Sequence, residues 1–304
     1  MKSYDVAAIG SGNIDIILEI PAFPDKGGKI VGKLLDRQIG GTVANSACVM
    51  GRLGLHVTSA SCVGDDANGR DIINEFKKFN VDCDFVRQVP GHIANLAIIF
   101  VDSSGEKSLI YAPGTNIEWD DEYAYQAISQ SHFLYTMPAD INKFEKLVKF
   151  ARRSKTKVVV DIEPHIASTP ERLSTILTLS NIAIFNKAGF IAGCNMEPEI
   201  DNLRQLQQQY QLDAVVVTLD AEGVVAVTEN ESENFPCFNV PVIDTTGAGD
   251  TFNGAFIYSL IHNKPLRSAL EFSSATAALS ITKLGAKGHL PTADEVDYFI
   301  RTYE

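Results

Sequence analysis

Cysteine is scarce in this 304-residue chain: Cys48, Cys62, Cys83, Cys194 and Cys237 are odd in number and scattered. No Cys-x-x-Cys pair occurs, so a disulfide framework and a zinc site of the usual spacing are set aside. The thiols read as reduced, mostly core filler, in a cytoplasmic protein. No apolar run approaches the roughly 18 residues of a membrane span. Met1-Lys2-Ser3-Tyr4-Asp5 runs straight into a strand-like segment, with no signal peptide. Positive charge is outweighed, 26 Lys and Arg against 38 Asp and Glu, for a net charge of -12. That argues against nucleic acid or an anionic membrane as the main partner. Gly 22 and Pro 12 are ordinary shares, which excludes a collagenous or disordered chain. There is no H-E-x-x-H and no G-x-x-x-x-G-K-[ST], and the six histidines are dispersed without triad spacing. Gly10-Ser11-Gly12 begins a dinucleotide fingerprint, but its third glycine would fall at Asp15. A β segment follows where a helix is needed, so an NAD enzyme is set aside as well.

What remains is alternation. Tyr4–Ile9, Val57–Val63, His132–Thr136, Val158–Asp161, Ile182–Phe185 and Ala214–Leu219 are short, β-branched and apolar on both faces, as buried parallel strands are. Helical patterns lie between them: Val43–Leu53, Asn68–Phe79, Asp121–Gln130, Asn142–Arg153 and Ile200–Tyr210. Two longer ones follow at about Ala248–His262 and Pro265–Lys283. The expected fold is α/β, a doubly wound, mainly parallel sheet with helices on both faces. Two stretches break the alternation, about 14–39 and 95–111. The second reads as a hairpin turning at Asp102-Ser103-Ser104-Gly105. They are expected to pair as a small β lid on a single domain spanning 1–304, and the lid edges could pair between chains to make a homodimer.

The most informative stretch is Asp244-Thr245-Thr246-Gly247-Ala248-Gly249-Asp250-Thr251-Phe252-Asn253-Gly254-Ala255. It follows a strand-like Phe238–Ile243 and opens a helix. Gly247, Ala248 and Gly249 let a ligand approach the backbone, and the free N–H groups of a first helical turn make an anion site. Asp250 sets a carboxylate inside that positive site. This suits a group that takes a proton from a hydroxyl while the N–H groups hold the charge of a transferring phosphoryl; an aspartate capping a glycine-rich helix start is the plainer alternative.

This segment resembles the C-terminal signature of the ribokinase-like (pfkB) carbohydrate kinases. The N-terminal half agrees, with Gly40-Gly41-Thr42-Val43-Ala44-Asn45, Arg52-Leu53-Gly54 and Val63-Gly64-Asp65-Asp66-Ala67-Asn68-Gly69 in the family's order and spacing. Gly12-Asn13-Ile14-Asp15 and Thr218…Gly223 match its early region and its nucleotide-side loop. The resemblance spans essentially the whole chain. It implies the ribokinase-like fold and an ATP-dependent sugar kinase using Mg²⁺, with Asp250 as general base and Gly247, Ala248 and Gly249 as anion hole. It places Asp15, Gly41 and Asn45, with Asp250, at the sugar hydroxyls. It places Asn186, Thr218, Asp220, Gly223 and Ser274 at the nucleotide. Asp244 and the Thr246 carbonyl, with the Gly285–Gly288 loop, fall where a monovalent cation (K⁺) binds in many members.

The residue chemistry allows both roles and plainer ones. Asp15 and Asn45 are short, rigid acceptors suited to paired sugar hydroxyls. A strand-end carboxylate and a helix cap explain them too. Strand packing accounts equally for Thr218, and helix packing for Ser274. The chain also departs from the family. Asn186-Lys187-Ala188-Gly189 lacks the Glu of N-x-x-E, leaving Glu163 as the substitute acid. Asp161-Ile162-Glu163-Pro164-His165 stands for D-x-N-x-R, Asp220 for the first Gly of T-x-G-x-x-G, and Thr42 for a Lys common in ribokinases. An anionic sugar would call on Lys29, Lys33, Arg37 or Lys107. Two alternatives stay open at this stage. A nucleoside kinase would stack a base on Phe23, Phe100 or Tyr111, and a non-catalytic sugar- or nucleotide-binding regulator would leave Asp250 idle.

Overall fold

In a computed structural model, residues 2–102, 107–115 and 117–303 are described. In chain order the strands are β1 Tyr4–Ile9, β2 Asn13–Glu19, β3 Lys33–Gly40, β4 Val57–Gly64, β5 Val81–Val89, β6 Asn95–Val101, β7 Lys107–Ala112, β8 Ser131–Thr136, β9 Lys157–Ile162, β10 Ile182–Asn186, β11 Ala214–Thr218, β12 Val224–Thr228 and β13 Ser232–Phe235. The α-helices are α1 Thr42–Arg52, α2 Ala67–Lys78, α3 Asp121–Ser129, α4 Ile141–Ser154, α5 Pro170–Leu179, α6 Lys187–Cys194, α7 Ile200–Tyr210, α8 Ala248–Ile261, α9 Leu266–Ser280 and α10 Ala293–Thr302.

Among the described residues, nine strands form one sheet in the order β13-β12-β11-β10-β9-β8-β1-β4-β5. From β11 to β5 every pairing is parallel, and β12 and β13 close the other edge antiparallel. The unbroken apolar runs follow from burial on both faces. Val6 and Ala8 pack toward α1, α8 and α9, whereas Ala7 and Ile9 pack toward α3 and α4. Two cores result, one on each face of the sheet. The strand order reverses beside β1, which lies between β8 and β4, and in open α/β sheets the crevice at such a reversal receives ligands.

The two stretches that break the alternation form a second sheet, ordered β3-β2-β6-β7. β2 pairs β6 in parallel, Asp15 opposite Ala97, across about eighty residues of chain, and its other neighbour is antiparallel β3, Asp15 opposite Gln38. Within the expected hairpin turn, Ser103, Ser104 and Gly105 lie outside the described residues.

Phe238–Ile243 is not a strand, contrary to the sequence expectation. Pro236 precedes it and Pro241 interrupts it, and proline cannot donate to a ladder. The segment is tied down at its end, where Ile243 N–H and Asp244 N–H both donate to Ile281 O at 2.8 and 3.2 Å. Cys48 and Cys62 are buried, whereas Cys237 is exposed, and all five cysteines are free. Among the described residues no helix is long and apolar enough to cross a membrane.

Candidate active site

The C-terminal ends of neighbouring strands gather the candidate residues. Glu163 follows the last residue of β9, and Asn186 at the end of β10 pairs in register with Thr218 at the end of β11. The helix α8 supplies Asp250 in its first turn. Its N-cap, Gly247, has φ +76°, and a Cβ there would sit 2.7 Å from the Ala286 Cβ. Glycine is therefore required both by the left-handed backbone and by the neighbouring loop. Helix α8 packs on α1, and a Cβ on Gly254 would meet Ser46 O and Val49 Cβ at 2.9 Å. This close approach lets Asn45 Nδ2 donate to Asp250 Oδ2 at 2.7 Å and Ser46 Oγ donate to Asp250 O at 3.0 Å.

At the helix start, Ala248 N–H turns back to Thr245 O at 3.2 Å, closing a tight turn. Of the expected anion hole of Gly247, Ala248 and Gly249, the Ala248 amide is thus engaged within the turn. The amides left without a protein acceptor among the described residues include those of Gly249 and Asp250. A Cβ on Gly249 would meet open space, so a ligand has access to this turn.

Asp250 is half-buried, and burial is the first cause that pushes its carboxyl up to about 7. The Asn45 hydrogen bond and Lys287 pull it down, while Glu163 and Asp15 push it up. A carboxyl so placed is matched to proton transfer near neutral pH. Beneath it lies a buried polar chain. Tyr135 OH is 3.1 Å from Ser46 Oγ, 3.4 Å from Asp161 Oδ2, and accepts from Asn253 Nδ2 at 3.2 Å. Burial, then Glu163 and Asp250, hold the Asp161 carboxyl well above the usual carboxylate range. Tyr135 OH donates to Asp161 Oδ2 and Ser46 Oγ to the Asp250 carbonyl, so the chain links Asp161 to the backbone of Asp250.

On the small sheet, Asp15 is buried in β2 and accepts from Asn13 Nδ2. Burial raises its pKa, against Lys287 and the Asn13 amide. A Cβ on Gly40 would stand 2.1 Å from Asp15 Oδ2, so the first glycine of Gly40-Gly41 makes room for the carboxylate. Gly41, the α1 N-cap, has φ +105°, and a Cβ there would reach Ser11 O at 2.7 Å.

The nucleotide-side candidates form a second group. Thr218 is half-buried, with Oγ1 3.4 Å from Phe185 O. Asp220 is exposed at φ +52° in a one-turn 3₁₀ helix, Asp220–Glu222. A Cβ on Gly223, at φ +108°, would strike Phe235 O at 2.1 Å. Ser274 is half-buried in α9.

Asn186 caps α6, its Oδ1 accepting from Gly189 N–H at 2.7 Å. A Cβ on Gly189 would lie 2.4 Å from Ile162 O and 3.1 Å from Glu163 C. The residue that replaces the missing Glu therefore lets the Glu163 backbone close on it. Gly189→Glu, which from sequence alone would restore N-x-x-E, should instead cost about 1–3 kcal/mol through that backbone clash. Calorimetry should record a Tm lower by about 2–10 °C; an unchanged Tm would mean that the β9 end yields freely.

Among the described residues no cluster of three His, Cys, Asp or Glu could hold a metal ion. A Mg²⁺ ion would come carried by phosphates, with Glu163 as the nearby carboxylate, in keeping with a cation that retains its waters. Glu163 Oε2 lies 3.5 Å from His165 Nδ1. Asp244 is buried; its Oδ1 accepts from Thr246 N–H and Oγ1 at 3.0 and 2.7 Å, and its Oδ2 from Gly285 N–H at 2.9 Å.

Of the cations considered for an anionic sugar, Lys33 faces Glu19 at 3.9 Å and Arg37 pairs with Asp71 at 3.0 Å. Lys29 is exposed, and the Lys107 side chain lies outside the description. Phe23 and Phe100 pack edge-to-face on each other at 5.3 Å. Sequence reasoning missed Lys287, whose Nζ donates to Ile39 O and to Asn45 Oδ1. The only local signal was a lysine between small residues in Ala286-Lys287-Gly288.

A carboxyl of raised pKa at a glycine-rich helix start, with a buried acid on a separate small sheet acting on it, suits proton transfer from a hydroxyl to be phosphorylated. Residues 3–293 match the model of the pfkB family carbohydrate kinases, and the chain belongs to that family. It is 30% identical to a ribokinase of Haemophilus influenzae over 301 residues, covering 97% of this chain and 98% of that one. It is 22% identical to a deoxyribokinase of Salmonella typhimurium, covering 99% and 100%. Its fold superposes on the Arabidopsis thaliana ribokinase complexed with ribose and ATP with a TM-score of 0.86, at 23% identity and 98% and 99% coverage.

Proposed function

We propose that the protein transfers the γ-phosphoryl of ATP to a hydroxymethyl of a small sugar, with ribose and 2-deoxyribose the first acceptors to test. The observation that carries this reading is Asp250, a carboxylate with its pKa near 7, in a helix turn whose amides are open to a ligand. Asp15, Gly41 and Asn45 border the sugar space. Asn186, Thr218, Asp220, Gly223 and Ser274 border the nucleotide.

Asp250 takes the proton of the acceptor hydroxyl as that oxygen bonds to the γ-phosphorus and the bond to the ADP oxygen breaks. The amides of Gly249 and Asp250 hold the charge of the phosphoryl group in flight. Because such transfer is largely dissociative, positioning and electrostatics outweigh base strength. Mg²⁺, when bound, neutralises phosphate charge. The test is an ADP-release screen over ribose, 2-deoxyribose, ketohexoses, sugar phosphates and nucleosides. Turnover with nucleosides alone would select a nucleoside kinase, and ligand binding without turnover would select a regulator.

The rate should follow Asp250. Only its carboxylate form accepts a proton, so kcat/KM for the sugar should rise with pH through about 7 with unit slope and then level. A profile flat from pH 5.5 to 8 would remove Asp250 as the base.

Two further readings belong to the same proposal. Asp244 links the anion turn to the Gly285–Gly288 loop, which supports a monovalent cation ordering that backbone beside the Thr246 carbonyl. Rates in K⁺ should then exceed those in Na⁺ at equal ionic strength, and identical rates would end the idea. The small sheet carries exposed Leu34, Leu109, Ile110 and Tyr111, and β3 and β7 are its edges. These features support a homodimer through this sheet. Light scattering should give twice the chain mass for the wild type and the single-chain mass for Leu34→Asp/Ile110→Asp.

A further inference from the structure

Lys287 occupies a position between two carboxylates without bonding to either. Its ammonium donates to Ile39 O and, at 2.7 Å, to Asn45 Oδ1. Asn45 in turn donates from Nδ2 to Asp250 Oδ2 at 2.7 Å. Among the described residues Lys287 forms no ion pair, although its charge acts on both Asp15 and Asp250. A primary amide has ends of opposite polarity. Turned over, Asn45 would present its oxygen to the Asp250 carboxylate and its N–H groups to an ammonium, and both contacts would repel. Lys287 has donors only, so it accepts only the oxygen end. That choice leaves Asn45 a single orientation, with its N–H on the base.

The loop that carries Lys287 is itself fixed on two sides. Gly285 N–H donates to Asp244 Oδ2 at 2.9 Å, next to the anion turn, and a Cβ on Gly285 would touch Gln38 Oε1 of β3 at 2.7 Å. The ammonium is thereby held over the Ile39–Asn45 segment that joins the small sheet to α1.

We propose that Lys287 is a positioning residue of phosphoryl transfer: by holding Asn45 Oδ1 it fixes the Asn45 amide as the donor that aligns Asp250 Oδ2 with the acceptor hydroxyl. The consequence for rate rests on the kinase reading above; the hold on Asn45 does not. The charged and titratable groups that act on Asp250 are Glu163 and Asp15, which oppose its ionised form, and Lys287, which favours it; Asp161 and Tyr135 lie beneath.

The experiment has two arms, on wild type, Lys287→Met, Lys287→Arg, Asn45→Ala and the Lys287→Met/Asn45→Ala double variant, each checked for a cooperative melt. In the first arm, the side-chain ¹⁵N resonance of Asn45, identified by its loss in Asn45→Ala, is followed against pH. It should report the Asp250 titration, with a midpoint higher by about 0.5–1 unit in Lys287→Met and unmoved in Lys287→Arg. In the second arm, Lys287→Met should lower kcat by about 10- to 100-fold with KM for ATP within about twofold. In the Asn45→Ala background the same change should lower kcat by less than about threefold, since residues in one hydrogen-bonded unit are not additive. An unmoved midpoint in Lys287→Met, or an equal kcat loss in both backgrounds, overturns the proposal. If the wild type turns over no acceptor, the kinase reading falls, and the hold is decided by the two Asn45 amide protons, whose shift separation from the bond to Asp250 should persist in Lys287→Arg and shrink in Lys287→Met, an unchanged separation in Lys287→Met overturning it.

Discussion

Replacing Asp250 by asparagine should lower kcat by about 10²–10⁴-fold, the range expected when a general base is lost. ATP affinity, measured separately by calorimetry, should stay within a few-fold. The amide is nearly the same shape as the carboxylate, and its oxygen can still accept from Asn45 Nδ2, the 2.7 Å bond that sets the side chain. The Ser46 bond goes to the backbone carbonyl, so the substitution leaves it in place. What disappears is the ability to take a proton, together with the pH dependence near 7. Residual activity that kept the wild-type pH limb would assign the limb to another group, and a variant within a few-fold of wild type would remove Asp250 from the chemistry.

The second large effect is expected at Asp15. Each hydrogen bond from a sugar hydroxyl to a carboxylate contributes about 1.5–3 kcal/mol, and two lost together weaken binding by about 10²–10⁴-fold. Asp15→Ala should raise the sugar Kd by that factor while the ATP Kd barely moves. The side chain is buried and takes the Asn13 amide, so its removal also leaves a polar group unpaired and lowers Tm by a few degrees. Titrating each ligand apart separates the two consequences. Equal weakening of sugar and ATP would mark a general folding defect, and an unchanged sugar Kd would end the assignment of Asp15 to the sugar.

Much of this architecture is legible from local pattern. Six strands of the large sheet are read from continuous β-branched runs, because burial on both faces leaves no room for polar alternation. The helix starting at Ala248 is read from its glycines. Other elements hide for stated reasons. β5, Val81–Val89, lies at a sheet edge with a mixed burial pattern, so its sequence carries no continuous apolar run. Phe238–Ile243 has strand-like side chains, but Pro241 within it cannot donate to a ladder. In Val63-Gly64-Asp65-Asp66-Ala67-Asn68-Gly69, the local physics is capping and close packing. Asp66 Oδ1 accepts from Gly69 N–H at 2.9 Å, and a Cβ on Gly69 would lie 1.9 Å from Gly64 O. Lys287 was illegible for a different reason. Its partner Asn45 is 242 positions away, and no periodicity or spacing reports a contact made by one long side chain across the fold.

The closeness of α1 and α8 also bears on how the chain is made. Asn45 and Asp250 are 205 positions apart, and among the described residues every strand precedes α8 in the sequence. A ribosome therefore releases the material of both sheets, with the candidate residues Asp15 and Thr218, before it releases Asp250, the proposed base. A chain arrested after β13 holds the candidates Asp15, Asn45 and Thr218 but lacks the anion turn, Asp250 and Ser274. Catalytic competence in this protein is consequently a late property of synthesis, and activity regained after dilution from denaturant should lag behind recovery of the sheet signal in circular dichroism whenever α8 is the last element to dock.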